Sequence, residues 1–203
     1  MIEVREKTVH LPAPREQGRM SLEEAIAARR SRRAYKSDPL KLSEAGQLLW
    51  AAQGITGPEQ QRTAPSAGAL YPLETYLAVT RVEGLTPGVY KYRPEHHDLV
   101  LHQPGDRRRE LTAAASDQDC VRFSACVLVF AAVYERTAVR FGDRAALFVR
   151  MEAAHAAQNV YLQAASLGVG TVAIGAFDED EIRRIAALAE GEEPVYLMAV
   201  GKV

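Results

Sequence analysis

A cluster of cations around one hydroxyl is the first feature of this sequence that could do chemistry. Residues 29–33 read Arg-Arg-Ser-Arg-Arg, so four guanidinium groups lie within five positions. Cations favour a helix C-terminus, but one or two satisfy that preference and four exceed it. Guanidinium forks match phosphate oxygens, and the Ser31 hydroxyl adds a further donor. The cluster indicates a phosphate-binding site, with a solvated helix end as the alternative.

A loop of small residues is the second candidate. Residues 65–72 read Pro-Ser-Ala-Gly-Ala-Leu-Tyr-Pro, and the alternating pattern over residues 75–80 predicts a strand after them. The prolines fix φ, while Ser66 and Gly68 permit tight turning. Because Ala67 and Gly68 carry little side chain, the backbone is open to close approach by something flat. An ordinary turn before a strand is the alternative.

A turn after a predicted strand at residues 171–174 is the third candidate. Gly175 and Ala176 follow that strand, and Asp178 is a suitable N-cap for a predicted helix over residues 179–188. The small side chains leave the backbone amides of this turn unobstructed, so they can donate to the edge of a ring. Together the three features describe a site for a phosphorylated planar ring.

Other chemistries fit less well. The Gly-x-Gly at residues 168–170 follows a helix and opens a strand, the reverse of a dinucleotide-binding fingerprint. The Glu-x-x-His at residues 152–155 is typical of half a di-iron site, but the second half is missing. Cys120 and Cys126 fit neither a zinc nor a redox spacing, and we expect reduced, mostly buried thiols. We therefore expect no metal site.

The longest predicted helix covers about residues 144–167. At 1.5 Å per residue it would run roughly 36 Å, and it is rich in alanine on several faces. A helix that is apolar nearly all round is buried on nearly all sides, so we expect a second copy of the chain to cover one face. Its polar residues share one line, which we interpret as a hydrogen-bonded stripe at that interface: Glu152, His155, Asn159 and Gln163.

The rest of the chain predicts one domain over residues 21–203, preceded by an N-terminal arm at 1–20. Ser21 and Glu24 form a capping box for the first helix. Further elements are predicted as follows: a helix from Ser43 to Gly54, a hairpin of strands 88–92 and 98–102, helices over about 106–115 and near Cys120, and strands 126–133 and 194–200. The formal net charge of −1 does not favour nucleic acid or an anionic membrane as the partner. No signal peptide or membrane span is evident, so we expect a cytoplasmic protein.

Four ordered blocks resemble the nitroreductase superfamily and, more closely, its SagB-type, thiazole/oxazole-forming dehydrogenase branch. They are residues 29–35, 65–72, 155–168 and 174–178, and the match runs from about residue 21 to the C-terminus. The resemblance implies an α+β fold with a central, mainly antiparallel sheet flanked by helices. It also implies an intertwined homodimer with two FMN molecules at the subunit interface.

The resemblance assigns cofactor-binding roles to three groups of residues. One group would hold the FMN phosphate and ribityl chain, a loop of the partner subunit would line the ring, and a turn would lie near the redox-active edge. In that order they are Arg29, Ser31 and Arg33, with Lys202 as a weaker candidate; Pro65, Ser66, Ala67 and Gly68; and Gly175 and Ala176. No catalytic side chain is assigned.

Three functions follow as hypotheses. The leading one is an FMN-dependent oxidoreductase that passes electrons from NAD(P)H to a small organic acceptor such as a quinone or nitroaromatic. The second is a SagB-type dehydrogenase of a peptide azoline or another metabolite. Members of that branch carry a Lys-Tyr pair before the long helix, where Arg140 and Phe141 stand here; arginine is a poor base and phenylalanine has no hydroxyl. The third is a flavin-binding module without catalysis.

Overall fold

The computed structural model describes residues 8–203, which form a seven-stranded sheet with helices on both faces. The strands are β1 Thr8–His10, β2 Leu73–Val79, β3 Gly88–Arg93, β4 Asp98–Pro104, β5 Cys126–Ala132, β6 Val169–Ile174 and β7 Glu193–Lys202. The helices are α1 Leu22–Ala28, α2 Leu42–Gln53, α3 Arg108–Ala114, α4 Asp119–Arg122, α5 Tyr134–Phe141, α6 Ala145–Leu167 and α7 Glu179–Ala186. Short 3-10 turns lie at Ala67–Ala69 and Gly142–Arg144.

The strand order across the sheet is β1-β4-β3-β2-β5-β7-β6. Each neighbouring pair is antiparallel, including the predicted hairpin of β3 and β4. The central strand β5 is buried along its whole length, as expected for a strand covered on both faces. The α+β fold with an antiparallel sheet, expected from the resemblance, is confirmed.

The two faces of the sheet build two cores. Side chains alternate along β5, so Leu128 joins one core and Val127 joins the other. The first core is closed by α2 and α6, and the second by α3, α4 and α7. The arginine cluster at residues 29–33 and the small-residue loop both lie on the side of the sheet that α2 and α6 cover. Helix α6 is the element next to both of them.

Helix α6 is the packing centre of the first core. Small residues such as Ala153, Ala156 and Ala157 are buried, which lets the helix approach the sheet closely. The opposite face keeps large apolar side chains in solvent: Leu147 is 48% and Met151 is 47% exposed. The helix therefore presents an apolar face that this single chain does not cover.

Short sequence signals set the helix ends. The Ser21 hydroxyl accepts from the Glu24 amide, and the Glu24 carboxylate accepts from the Ser21 amide, as the predicted capping box requires. The expectation that Ser43 caps α2 is wrong, because the Lys41 amide donates to Glu44 and the helix begins at Leu42.

Two elements were not predicted. The strand β1 has only three residues and pairs with the sheet edge at β4, so its sequence signal is short. Helix α5 has only eight residues, buries only Thr137 and exposes Val139, so its sequence signal is short. Residues 1–7 of the predicted arm lie outside the described residues.

The remaining global features concern thiols, metals and membranes. Cys120 and Cys126 are free and buried, and burial raises the pKa of the Cys126 thiol to about 12. Among residues 8–203 there is no cluster of histidine, cysteine and acidic side chains suited to a metal ion. In the same range, each helix is too short or too polar to cross a bilayer.

Candidate functional site

The arginine cluster lies beside the edge strand β6. Helix α1 ends at Ala28, and Ser31 then forms an isolated parallel bridge with Thr171 of β6. The Arg32 amide donates to the Thr171 carbonyl at 2.9 Å. The cluster is thus fixed to the sheet by its backbone, which leaves its side chains available to a ligand.

Tyr161 of α6 organises the cluster. Its oxygen accepts from the Ala173 amide at 2.8 Å and lies 3.1 Å from Ser31 Oγ. Either oxygen of the Tyr161–Ser31 pair can be the donor; when Tyr161 donates, the Ser31 proton is available for a bound anion. The Arg29 guanidinium carbon lies 5.3 Å from the centre of the Tyr161 ring. Sequence reasoning missed this role, because a tyrosine on an apolar helix is usually a packing residue.

The charges of the cluster have no acidic partners. Within residues 8–203, none of the four arginines at 29–33 has a carboxylate within 4.0 Å, whereas arginines such as Arg93 and Arg184 do. Arg30 donates to the carbonyls of Ala27 and Arg29 and so caps α1. Arg29 lies on the Tyr161 ring next to Ser31, and guanidinium groups without acidic partners can bind an anion.

A small cavity adjoins the cluster. It has a volume of about 160 Å³ and is lined by Arg30, Arg32, Tyr161 and Thr171 among others. Lys202, the weaker candidate, has a different environment, because its Nζ lies 2.5 Å from Glu44 Oε1 of α2. The carboxylate neutralises most of its charge, so Lys202 has less to offer an anion than the arginines.

Three residues of the small-residue loop have a left-handed backbone conformation. Gly68 has φ +65°, and Ala69 and Tyr71 also have positive φ. A β-carbon on Gly68 would lie 3.0 Å from Arg140 Nη1 and 3.3 Å from the Phe141 ring. The glycine is therefore required both by its backbone conformation and by the close packing of α5. The Arg140-Phe141 pair lies directly against the loop.

A buried carboxyl lies next to this loop. Glu152 is 2% exposed, and burial raises its pKa to about 7, although Ser66 and Arg62 act in the opposite direction. It was expected to belong to a polar stripe at a subunit interface, together with His155, Asn159 and Gln163. Within the chain Glu152 is buried, His155 is exposed, and Asn159 and Gln163 are half-buried. Glu152 therefore does not reach the surface, and an interface at the other three residues stays a prediction.

The other two members of that stripe bond within the chain. Asn159 donates to the Thr63 carbonyl at 3.0 Å, and Gln163 accepts from Gln47 of α2 at 3.1 Å. The pattern on the helix correctly indicated hydrogen bonding, but periodicity alone does not say whether the partner is the same chain or another.

The third candidate feature lies at the end of β6. Gly175 and Ala176 are exposed, and the ring of Tyr196 is 3.7 Å from the position of a β-carbon on Gly175. Asp178 caps α7 by accepting from the Glu181 amide, as predicted. The turn is open to solvent at the end of the strand beside which the arginine cluster lies.

The three features lie along two elements, β6 and α6. The arginine cluster bridges β6 at Thr171, and the Gly175 turn follows the end of that strand. The loop contacts α6 at Glu152, nine residues before Tyr161. Nine helical residues correspond to about 14 Å along the helix axis. Within one chain the loop and the cluster therefore meet α6 at two different places.

Comparisons with known proteins agree on one family. A profile described as the nitroreductase family matches residues 26–202. A Methanocaldococcus jannaschii protein, assigned by name to the nitroreductases, is 47% identical over 183 residues, which cover 90% of this chain and 91% of that protein. A Ralstonia eutropha crystal structure, described as a nitroreductase, has a TM-score of 0.85 at 32% identity. The match covers 98% of this chain and 90% of the Ralstonia chain.

Further structures are similar in fold. An Anabaena variabilis nitroreductase structure has a TM-score of 0.86 at 28% identity and covers 97% of this chain, which spans only 42% of the Anabaena chain. The E. coli microcin synthetase McbBCD complex with truncated pro-MccB17 has a TM-score of 0.72 at 21% identity, covering 99% of this chain and 79% of that chain. The Vibrio harveyi NADPH:FMN oxidoreductase complexed with NAD+ has a TM-score of 0.65 at 22% identity, and the match covers 89% of this chain and 68% of that chain.

Proposed function

The chain belongs to the nitroreductase family, and from that premise we propose that it is an FMN-dependent oxidoreductase. It would take electrons from NAD(P)H and pass them to a small organic acceptor of the quinone or nitroaromatic type. The observation that carries the proposal is the set of arginines without acidic partners around Ser31, fixed by Tyr161 beside β6. Its chemistry suits a phosphate, the charged end of FMN.

The residues present fit this cofactor. Arg29, Ser31 and Arg33 would hold its phosphate, and the adjoining cavity of about 160 Å³ is lined by the other two arginines of the cluster, Arg30 and Arg32. The open turn at Gly175 and Ala176 would donate backbone hydrogen bonds near the ring. The flavin, when bound, supplies the exchange of two electrons that no side chain of this site can carry out.

The loop of Pro65, Ser66, Ala67 and Gly68 would come from a second copy of the chain. Within one chain the loop and the arginine cluster contact α6 at positions about 14 Å apart along its axis. A homodimer in which each copy offers its loop to the cluster of the other would complete two sites. The exposed apolar face at Leu147 and Met151 supports such a dimer, because large apolar side chains there are otherwise left in water.

Residues of the chain would then tune the site. The Arg140 guanidinium lies against Gly68 and has no carboxylate within 4.0 Å among residues 8–203, so it would stabilise negative charge beside the loop. The Ser31 proton would be donated to the anion, and the arginines would fix its orientation.

A SagB-type dehydrogenase is the weaker candidate. The likeness to the microcin synthetase complex supports the shared fold alone. Arg140 and Phe141 pack against the loop, where the branch resembled by the sequence has its Lys-Tyr pair. Arginine does not give up its proton in proteins, so it would not act as the base for azoline oxidation. A non-catalytic flavin-binding module is the remaining alternative.

The test is the visible absorption spectrum of purified protein after FMN addition and desalting, followed by anaerobic NADH or NADPH. The proposal expects a retained yellow cofactor that bleaches, and re-oxidation by quinone or nitroaromatic acceptors. A retained cofactor that only an organic donor reduces would favour the dehydrogenase. A retained cofactor that no donor reduces would favour the non-catalytic module, and colourless protein would contradict all three functions.

A further inference from the structure

A buried acid next to the Pro65–Gly68 loop has no role in the function proposed above. Glu152 is 2% exposed, and its Oε1 atom has no hydrogen-bond partner among residues 8–203. Burying an acid without full hydrogen bonding costs free energy, and a neutral residue of similar size would avoid that cost. The position of this acid points to a role beyond packing.

Two groups from the chain segment before β2 act on the Glu152 carboxyl. Ser66 donates a hydrogen bond to it, and the charge of Arg62 favours its ionised form. Arg62 is itself held by Gln53 of α2, whose Oε1 lies 2.8 Å from its Nη1, and by Glu95, 3.7 Å from its Nη2. Burial opposes ionisation and is the largest effect, so the carboxyl titrates near neutral pH, at about 7.

Ser66 connects this carboxyl to the loop backbone. Its Oγ accepts from the Tyr71 amide at 2.9 Å, so its own proton is directed to Glu152. Gly68, Ala69 and Tyr71 all have positive φ, and such a backbone persists only where surrounding contacts hold it. Hydrogen bonds to an ionised carboxylate are stronger than those to a neutral acid. The ionised acid therefore holds the loop more firmly.

We propose that Glu152 is a positioning residue of the flavin site, which holds the Pro65–Gly68 loop in shape through Ser66 and loosens it on gaining a proton. This inference rests on the proposed function, because it treats the loop as part of the flavin site. Flavin binding and loss of a proton from Glu152 are then linked, so binding is tighter when the carboxyl is ionised.

The test measures flavin affinity against pH by fluorescence quenching, with FMN and riboflavin as separate probes. Riboflavin is needed because the FMN phosphate itself titrates near pH ~6. We expect the wild type to bind riboflavin roughly fivefold more tightly at about pH 8 than at about pH 6, the factor given by about 1 kcal/mol of hydrogen-bond strength. Glu152→Gln should remove this dependence.

Two further variants separate positioning from general damage. Ser66→Ala keeps the acid but removes its connection to the loop, so it should also flatten the pH profile. His155→Gln removes an exposed titratable group from the same helix and should keep the wild-type profile. If Glu152→Gln does not fold, the Ser66→Ala profile decides.

The outcomes distinguish the inference from the function. If the wild type, Glu152→Gln and Ser66→Ala bind flavin with the same pH profile, the inference is overturned and the flavin site stands. If the wild type binds neither FMN nor riboflavin at any pH, the proposed function fails, and the inference fails with it.

Discussion

Single side chains decide whether this member of the fold can hold a phosphorylated ring. Tyr161 is one of them, because its oxygen ties the Ala173 amide of β6 to the Ser31 hydroxyl. The arginines around Ser31 keep their charge uncompensated by acidic groups within residues 8–203. A pair of neighbouring carboxylates would turn the same segment into an ordinary solvated surface.

Arg33→Ala tests the role of this charge. If Arg33 contacts the phosphate, its loss removes a charge-assisted hydrogen bond of about 1.5–3 kcal/mol and weakens FMN binding by roughly 10- to 100-fold. Riboflavin, which has no phosphate, should bind as it does to the wild type. The matched control is Arg109→Ala, an exposed arginine of α3. Equal weakening of FMN and riboflavin would argue against a phosphate contact.

Glu152→Gln also makes a prediction about stability. The pKa of Glu152 is raised from 4.5 to about 7 in the folded chain. The folded state therefore binds the proton more tightly, and stability is lost as pH rises from the unfolded pKa through the folded one. Above neutral pH the loss amounts to about 3 kcal/mol. The variant should therefore gain about 2 kcal/mol relative to wild type between about pH 5 and about pH 8.

Urea denaturation at the two pH values measures this gain. Glu23→Gln, at an exposed position of α1, is the control and should show no comparable change. A constant difference between wild type and Glu152→Gln across the pH range would mean that the acid is not the origin of the pH dependence.

At the scale of elements, α5 and the Ala67–Ala69 turn form one unit. The side chains of Arg140 and Phe141 pack against Gly68. Helix α5, which the sequence did not predict, therefore shapes the small-residue loop, which the sequence did predict. An exposed, short helix adds little apolar periodicity, although here its last turn determines what surrounds the loop.

Two glycines allow a matched test of this unit. Gly68 has φ +65° beside α5, and Gly168 has φ +67° at the end of α6 with open space around it. Alanine at either position should cost about 1 kcal/mol through backbone strain, and Gly68→Ala should cost more than Gly168→Ala, because its β-carbon would lie 3.0 Å from Arg140 Nη1. Only Gly68→Ala should also weaken FMN binding. Stability from denaturation and affinity from fluorescence check both statements, and equal FMN affinities in the two variants would contradict a role for the loop.

The elements show what the sequence can predict. Helix α6, the hairpin of β3 and β4, and the Ser21 capping box follow from periodicity and local hydrogen bonding, and they were predicted close to their observed bounds. The partner of a polar side chain is a tertiary property. Asn159 shows this, because the hydrogen bonding predicted for it is made to Thr63 of its own chain, while its position at a subunit interface stays a prediction.

The candidate site divides in the same way. The arginine cluster and the small-residue loop could be recognised in the sequence by their unusual residue composition. The roles of Tyr161, Arg62 and Glu152 depend on contacts between residues distant in sequence, so no local pattern could reveal them. Glu152 in particular was interpreted as a hydrogen-bonded polar residue, and only its burial shows that its ionisation is costly.

At the scale of the whole molecule, α6 links the two parts of the proposed site. The arginine cluster lies at its C-terminal half and the loop at its N-terminal half, with an exposed apolar face around Leu147 and Met151. A two-fold related copy packed on that face would bring the loop of one chain toward the cluster of the other. In the proposed dimer, each flavin site would be completed by residues of both chains.

Flavin stoichiometry in mixed dimers tests the central claim most directly. One chain would carry Arg33→Ala and the other Gly68→Val, with two affinity tags to purify the mixed species. Each variant alone should bind FMN weakly, because both of its sites contain a damaged part. If the parts come from different subunits, the mixed dimer has one site with two intact parts and should bind about one FMN per dimer. If both parts of each site come from one chain, the mixed dimer has no intact site, and no tight FMN binding would contradict the account.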